Sequence, residues 1–455
     1  MIYTLMRPLV SVGLRSYFKR ISVIGRGKLD SDRTLFVCNH PSALFDPILV
    51  AILTKKPLNF LAGAEWFGKG VQKWFFENQF NMIPVYRPWL AQGKDQAKAQ
   101  VKNEDMFRAC YEALKQGKRI IIFPEASSVT VPWIREIKTG AARIKRGADD
   151  HAPEYEKVKI IPIGLNYTNP HRFQTGVTVK VGDPIVFDDL LIAYSDEKEL
   201  VNQMTERIRE KMGDCLLYPE NAHAFEFIRD VKKLMTETLK SELGVAEGDL
   251  DGEFRIRKAI VYEIEKKLQN SPDKMGDLPS RLRSYIQRFE GLGFRQYNPF
   301  QERLLHFIFK LFGLILGLPM FLIGAIANLL PFLGTRFIYK RFFLPKVTVK
   351  DAQGQLNSAF AGSLGFGVGL LFYLVWYILL WIFLSGFMPW WFALILLALF
   401  GYSGGRFALV YYKWFVQCKK YVRWHWLKAF NKEALEDLLS ERASLIEELL
   451  AKRSN

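Results

Sequence analysis

Through the first 190 positions, short apolar runs alternate with longer amphipathic stretches. The runs 34–38, 119–123, 159–165 and 176–181 predict strands. The stretches 47–53 and 98–115 between them predict helices. Such alternation predicts an α/β domain, a mixed sheet flanked by helices, over about 31–192. Candidate sites then lie where strands end and helices begin. Residues 193–300 follow a different rhythm. Leu200, Met204, Ile208 and Met212 recur four apart, and Phe225, Ile228, Val231 and Met235 at three and four. Those spacings predict a helical subdomain.

The last third predicts a C-terminal transmembrane helical region, over 301–412. Residues 311–333 run 23 positions without a charge, and 359–408 contain one charge, Arg406. A spanning helix needs about 20 apolar residues, so the second stretch holds two, at about 362–384 and 390–411. The sequence Ser385-Gly386-Phe387-Met388-Pro389-Trp390-Trp391 between them reads as a tight turn with an interfacial tryptophan pair. The first stretch carries Pro319, Asn328 and Pro331. Basic segments follow at 334–350 and in the tail 413–455. Both are cytoplasmic if 311–333 is a re-entrant hairpin, and the positive-inside rule favours that reading. At the other end, residues 1–30 mix Arg7, Arg15, Lys19, Arg20, Arg26 and Lys28 with apolar positions. Arg7 and Arg15 interrupt any signal-peptide core. The segment reads as an amphipathic helix, apposed to a membrane or packed on the core.

Composition sharpens this picture. The 455 residues exceed what one core organises, and 49% are apolar, which excludes a disordered chain. The net charge of +17 implies an anionic partner. From Arg87 to Arg146 there are 13 Lys+Arg against 6 Asp+Glu, which suits phosphate-bearing ligands. No nucleic-acid-binding module is recognisable. Cys38, Cys110, Cys215 and Cys418 lack zinc spacing and do not resemble a secreted disulfide scaffold, so no metal and a reducing compartment are expected.

Four clusters carry candidate chemistry. The strand 34–38 runs into Asn39-His40-Pro41-Ser42-Ala43-Leu44-Phe45-Asp46. A neutral imidazole takes a proton from a hydroxyl nucleophile, and a carboxylate beside it fixes the tautomer. His40 and Asp46 meet only if the chain turns between them, since helical neighbours are three or four apart. Asp46 is alternatively an N-cap for a helix beginning at Pro47. The second cluster ends at Arg87, whose planar fork suits phosphate. The third is Phe123-Pro124-Glu125-Ala126-Ser127-Ser128, where Glu125 orients a substrate hydroxyl or a basic partner such as Arg87, or the serines satisfy backbone amides. Lys138 and Thr139 then open a helix with Thr139 as N-cap. The fourth contains Pro162 in an apolar run, which predicts an edge or a bulge near a ligand.

The order of these clusters resembles the glycerolipid acyltransferase superfamily across residues 30–190. The resemblance implies His40 as general base and Asp46 as its orienting carboxylate. It implies Arg87 as the phosphate ligand. Asn39, Glu125, Ala126, Ser127, Ser128, Lys138 and Pro162 complete the substrate site. It implies no cofactor, with acyl-CoA or acyl carrier protein delivering the chain as co-substrate by direct attack and without an acyl-enzyme. Partners would be the lipid bilayer and a phosphorylated glycerol acceptor, and the catalytic domain of an integral membrane protein would face the cytoplasm. Two positions depart from the family pattern: five residues separate His40 from Asp46 instead of four, and Ala126 stands where Gly is usual. The longer gap is similar to the branch acylating glycerol 3-phosphate or dihydroxyacetone phosphate. So are Asn166-Tyr167, Pro170-His171-x-Phe173 and Lys138-x-Gly140. In that branch Ser128 is usually followed by His-Asp, whereas here Val129 and Thr130 follow it. Lysophosphatidate is the next acceptor in line, and a non-catalytic lipid-binding protein is the competing class.

Overall fold

The computed structural model describes residues 2–64, 67–86, 94–131, 133–150, 157–220, 224–270, 275–294, 304–347, 349–350 and 356–454. The chain divides into two compact units, one of residues 1–220 and 344–366, the other of 221–343 and 367–455.

The first unit is built on a seven-stranded mixed sheet. Its elements in chain order are α1 (Ile2–Tyr17), β1 (Arg20–Ile24), β2 (Thr34–Cys38), α2 (Phe45–Leu53), β3 (Asn59–Gly63), α3 (Val71–Gln79), β4 (Met82–Val85), α4 (Lys94–Lys115), β5 (Arg119–Ile122), α5 (Gly140–Asp149), β6 (Lys159–Tyr167), β7 (Gly176–Val181), α6 (Asp188–Ala193) and α7 (Glu197–Asp214). The strand order is β1-β7-β6-β2-β5-β3-β4. All pairs are parallel except β6–β7. The central strands are apolar on both faces, as a doubly covered sheet requires. Phe36, Ile121 and Ile163 pack under α1 and α2 on one side, and Leu35, Ile120 and Ile160 under α4, α5 and α7 on the other.

The sequence reading needs four adjustments here. Residues 20–24 pair with β7 as an edge strand, so in the basic N-terminus the α-helix is confined to Ile2–Tyr17, with a 3-10 turn at Arg26–Asp30. The strand 59–63 adds a member to the sheet that periodicity does not mark, and the extended run before Arg87 is strand 82–85. The stripe Leu200–Met212 packs on the sheet rather than in a separate subdomain. Pro162 lies on interior strand β6, opposite Val37 of β2 and one residue beyond the last β6–β7 pair, Ile163–Val181. Its missing N–H therefore removes no ladder bond to β7, which explains a proline away from the edge.

The second unit holds α8 (Phe225–Glu242), α9 (Leu250–Asn270), α10 (Leu278–Phe289), α11 (Leu304–Leu316) and α12 (Leu318–Ile338). The short α13 (Leu344–Val347) and the start of α14 (Ala361–Ser385) belong to the first unit, and α14 continues into the second. There it is followed by α15 (Trp390–Leu396), α16 (Ser403–Phe430) and α17 (Lys432–Ser454). The C-terminal segment expected as a basic tail is structured. Leu438, Leu445 and Leu449 of α17 are buried with Ile228, Val231 and Leu282 of α8 and α10.

Three helical runs among the described residues are long and apolar enough to cross a bilayer: Leu318–Val347, Ala361–Ser385 and Trp390–Phe430. The hairpin expected at 311–333 does not form. Phe307 stacks on Tyr421, Gly313 faces Trp414, Gly317 faces Phe407 and Gly324 lies on Gly404. As one strand of contacts ascends the other descends, so 307–324 runs one way along α16. Pro319 sits in the first turn of α12, where a proline is tolerated. Helical bonds from Gly317 N–H to Gly313 O (2.9 Å) and Phe321 N–H to Gly317 O (2.9 Å) carry the chain through the junction.

Polar and small residues join these helices. A Cβ on Gly324 would lie 2.2 Å from Gly404 O. Asn328 Nδ2 donates to Gly324 O (2.8 Å) and Gly401 O (3.0 Å), and Tyr377 O–H donates to Asn328 Oδ1 (2.8 Å). Close glycine crossings with an interior amide are a common way to hold apolar helices together where burial alone gives no preference.

Candidate active site

The site sits at the C-terminal ends of β2 and β5, which are neighbours in the sheet. Their parallel pairing brings the turn after Cys38 beside the turn after Ile122. The β2 turn folds back on itself, with Phe45 N–H bonded to Ser42 O (2.9 Å). That reversal lets His40 and Asp46 meet. His40 Nδ1 lies 2.8 Å from Asp46 Oδ2. The same oxygen accepts Ser42 N–H at 2.8 Å, and Oδ1 accepts the Tyr167 hydroxyl at 2.9 Å. Asp46 is in the first turn of α2 and does not cap it; the position before the helix is Leu44.

Burial raises the Asp46 carboxyl above its ordinary range, and the bonds from His40, Ser42 and Tyr167 oppose that rise by favouring the carboxylate. Burial also pushes the Tyr167 hydroxyl well up, so it remains a donor. A carboxylate that accepts at every contact puts the His40 proton on Nδ1. Nε2 then carries the lone pair, and no described residue hydrogen-bonds it. The ring stacks on Phe123 at 4.1 Å.

Glu125 acts on the backbone. Its Oε1 accepts His40 N–H at 3.1 Å, and its Oε2 accepts Arg135 Nε–H at 2.7 Å. Burial raises the Glu125 carboxyl and the Arg135 charge opposes it. Arg135 also donates to Ser127, to Oγ at 2.8 Å and to the carbonyl oxygen. Ser128 Oγ accepts Ala43 N–H (2.7 Å) and donates to His40 O (3.0 Å). The two turns are thus stitched together before any substrate arrives.

A cavity of about 990 Å³ opens at His40. Its lining is mainly apolar, with Val10, Ile48, Phe60 and Phe80 among the residues. The lining also includes Ala126 and the cations Arg7, Lys138 and Arg143. Lys138 N–H bonds Pro124 O at 2.9 Å, which fixes the start of α5 against the Phe-Pro-Glu turn, while its Nζ lies 2.6 Å from Glu136. Arg143 lies over the Phe107 ring at 4.6 Å.

The chain spans 38% of the length of the first curated relative it matches, the Saccharomyces cerevisiae protein "Glycerol-3-phosphate O-acyltransferase 1", at 24% identity over 301 residues and 62% of this chain. It is 29% identical over 115 residues, 25% of this chain and 15% of the relative, to "Glycerol-3-phosphate O-acyltransferase 2" of the same yeast. Among solved structures it is similar to the 1-acyl-sn-glycerophosphate acyltransferase PlsC of Thermotoga maritima, with a TM-score of 0.32 and 19% identity over 46% of this chain and 78% of that one. The family model described as Acyltransferase matches residues 20–166. That match covers most of the sheet and both turns of the site, and makes residues 20–166 an acyltransferase-like region.

Within the matched region the structure gathers His40, Asp46, Glu125, Ala126, Ser127, Ser128 and Lys138. Arg87 lies outside the described residues. Pro162 is buried in the sheet and does not line the cavity. Asn39 turns away from the cavity and brackets β6, donating to Leu165 O (3.2 Å) and accepting Leu165 N–H (2.8 Å). Glu125 is paired with Arg135 and is not among the residues lining the cavity. Thr139 precedes α5 but makes no side-chain capping bond. Ala126 adopts φ +61°, the left-handed conformation that the usual glycine allows. Tyr167 and Arg135 escaped as site residues. Arg135 had a signal: it is the only cation between Glu125 and Lys138, and a buried carboxylate needs one.

Proposed function

We propose that this chain transfers an acyl group from a thioester to a hydroxyl of a phosphorylated glycerol, at a membrane. The observation that carries the reading is the His40–Asp46 pair at a cavity of about 990 Å³ whose mainly apolar lining includes the cations Lys138 and Arg143. Nε2 takes the proton from the acceptor hydroxyl as its oxygen attacks the thioester carbonyl. Asp46 stabilises the imidazolium that forms. The tetrahedral intermediate then collapses, the C–S bond breaks, and the leaving sulfur recovers the proton from His40. No acyl-enzyme forms and no metal takes part. Glu125 and Arg135 hold the His40 backbone so that the ring meets a fixed point. The apolar lining takes the acyl chain, and the lining cations take the acceptor phosphate.

Both yeast relatives are described as glycerol-3-phosphate O-acyltransferases, which favours that acceptor. Three helical runs long and apolar enough to cross a bilayer support a membrane location, where the product would partition. Four buried cysteines without disulfides suit a site on the cytoplasmic face. The test is a panel: purified chain in lipid nanodiscs, radiolabelled palmitoyl-CoA or palmitoyl-acyl carrier protein, and glycerol 3-phosphate, dihydroxyacetone phosphate, lysophosphatidate or glycerol as acceptor. Transfer to glycerol 3-phosphate above the others supports the assignment. Preference for lysophosphatidate moves it to the second acylation step, and no transfer to any acceptor overturns it.

A further inference from the structure

His171 lies in the connection between β6 and β7, away from the base, yet it is wired to the base's turn. Gly362 N–H donates to His171 Nδ1 at 3.3 Å. A backbone amide cannot accept, so Nδ1 carries the lone pair and the neutral ring carries its proton on Nε2. Nε2 lies 3.1 Å from Thr130 Oγ1, with Ser358 Oγ at 3.4 Å. Thr130 O–H donates in turn to Pro41 O at 2.8 Å. Each proton in this row has one assignment that satisfies every partner. Burial lowers the His171 pKa, which keeps the ring in the neutral form the row requires.

Gly362 is seated as closely as a backbone permits. A Cβ there would lie 2.4 Å from Pro170 O and 2.9 Å from Phe45 Cε2, on the residue before Asp46. The neighbouring Ala359, Ala361 and Ser363 are buried, and Phe366 meets the Phe45 ring at 5.6 Å. Gly362 opens α14, an apolar helix long enough to cross a bilayer.

We propose that His171 is a positioning residue for the reaction, clamping the first turn of α14 to the Thr130–Pro41 contact and thereby holding the His40–Asp46 pair in its reactive geometry. This rests on the reading of His40 as general base. The start of the membrane helix is then part of the catalytic unit, and its position bears on turnover rather than on substrate affinity.

Full-length chain in nanodiscs tests this through Thr130→Val, Thr130→Ser and His171→Ala, with kcat and KM measured for both substrates and hydrogen exchange followed by mass spectrometry. Thr130→Val removes the hydroxyl at constant shape. It is expected to lower kcat about tenfold with both KM values unchanged, and Thr130→Ser to restore kcat. His171→Ala is expected to lower kcat at least as far and to speed exchange in segments 39–46 and 358–366. Unchanged kcat in Thr130→Val and His171→Ala overturns the proposal, as does a loss that serine does not restore. A wild-type protein that transfers no acyl group sinks the acyltransferase reading instead. Exchange then decides the clamp alone, and unaltered exchange in His171→Ala refutes it.

Discussion

Two polar clusters organise this molecule, one in each unit, and they differ in what they leave open. Around Asn328, three apolar helices share amide, carbonyl and hydroxyl groups that are uncharged and mutually satisfied. Around Asp46 and Glu125, charged carboxyls are held against burial by His40, Tyr167 and Arg135. One atom there, His40 Nε2, faces an open cavity. The closed cluster is a joint. The open one keeps ionised groups in a costly place and directs one lone pair outward, as a proton-transfer site requires.

The sharpest way to break this contrast is Asp46→Asn. Losing the carboxylate lets the amide select the wrong His40 tautomer, and kcat should fall by about 10²–10⁴ while Asn328→Ala leaves the kcat of folded protein unaltered. Equal losses in both would erase the distinction. Next in size is Gly324→Leu. A side chain there meets the Gly404 backbone, which has no rotamer to move, so thermal unfolding should show a loss of about 1–3 kcal/mol. A neutral result would mean that the Gly324–Gly404 crossing is not tight. Tyr167→Phe comes third. Removing one donor to Asp46 at constant volume should cost roughly tenfold in kcat, read with substrates at saturation.

Ala126→Gly is smaller and opposite in sign. Non-glycine residues pay about 1–2 kcal/mol in the left-handed region, and glycine loses about 0.5–1 kcal/mol more chain entropy on folding. The net is a gain of up to about 1.5 kcal/mol in stability, measured by denaturant unfolding. Smallest is a slope with pH. Asp46 and Glu125 are raised in the folded state, so between the unfolded carboxyl pKa near 4 and their raised values the folded chain holds more protons. Their contribution is present at low pH and diminishes as pH rises through that window. Surface Asp32 is lowered by Arg119 and Lys56 and has the reverse sign. Unfolding midpoints of Glu125→Gln against wild type should therefore shift in the variant's favour as pH rises from 4 to 7, and a shift the other way contradicts the assigned direction.

Much of the catalytic unit was legible in the sequence, because parallel strands buried on both faces read as continuous apolar runs. His40 and Asp46 were legible through their turn. Contacts set by topology were not. Nothing local marks Tyr167 as a partner of Asp46, 121 residues away, until β6 is known to lie beside β2. Asn39 carries a motif position yet serves the sheet. Pro162 signalled a special site because proline is usually excluded from interior strands, whereas the end of the β6–β7 ladder accommodates it. The hairpin at 311–333 rested on charge balance and prolines, and both were overridden by glycine-to-glycine packing that periodicity does not encode.

The central claim is that His40 Nε2 is the base for acyl transfer. The most direct measurement is the initial rate of transfer from radiolabelled palmitoyl-CoA to glycerol 3-phosphate by wild-type chain and by His40→Ala, in the same nanodiscs and with matched unfolding midpoints. The account predicts robust transfer by the wild type and a rate reduced by at least about 10² in the variant. Equal rates would contradict it.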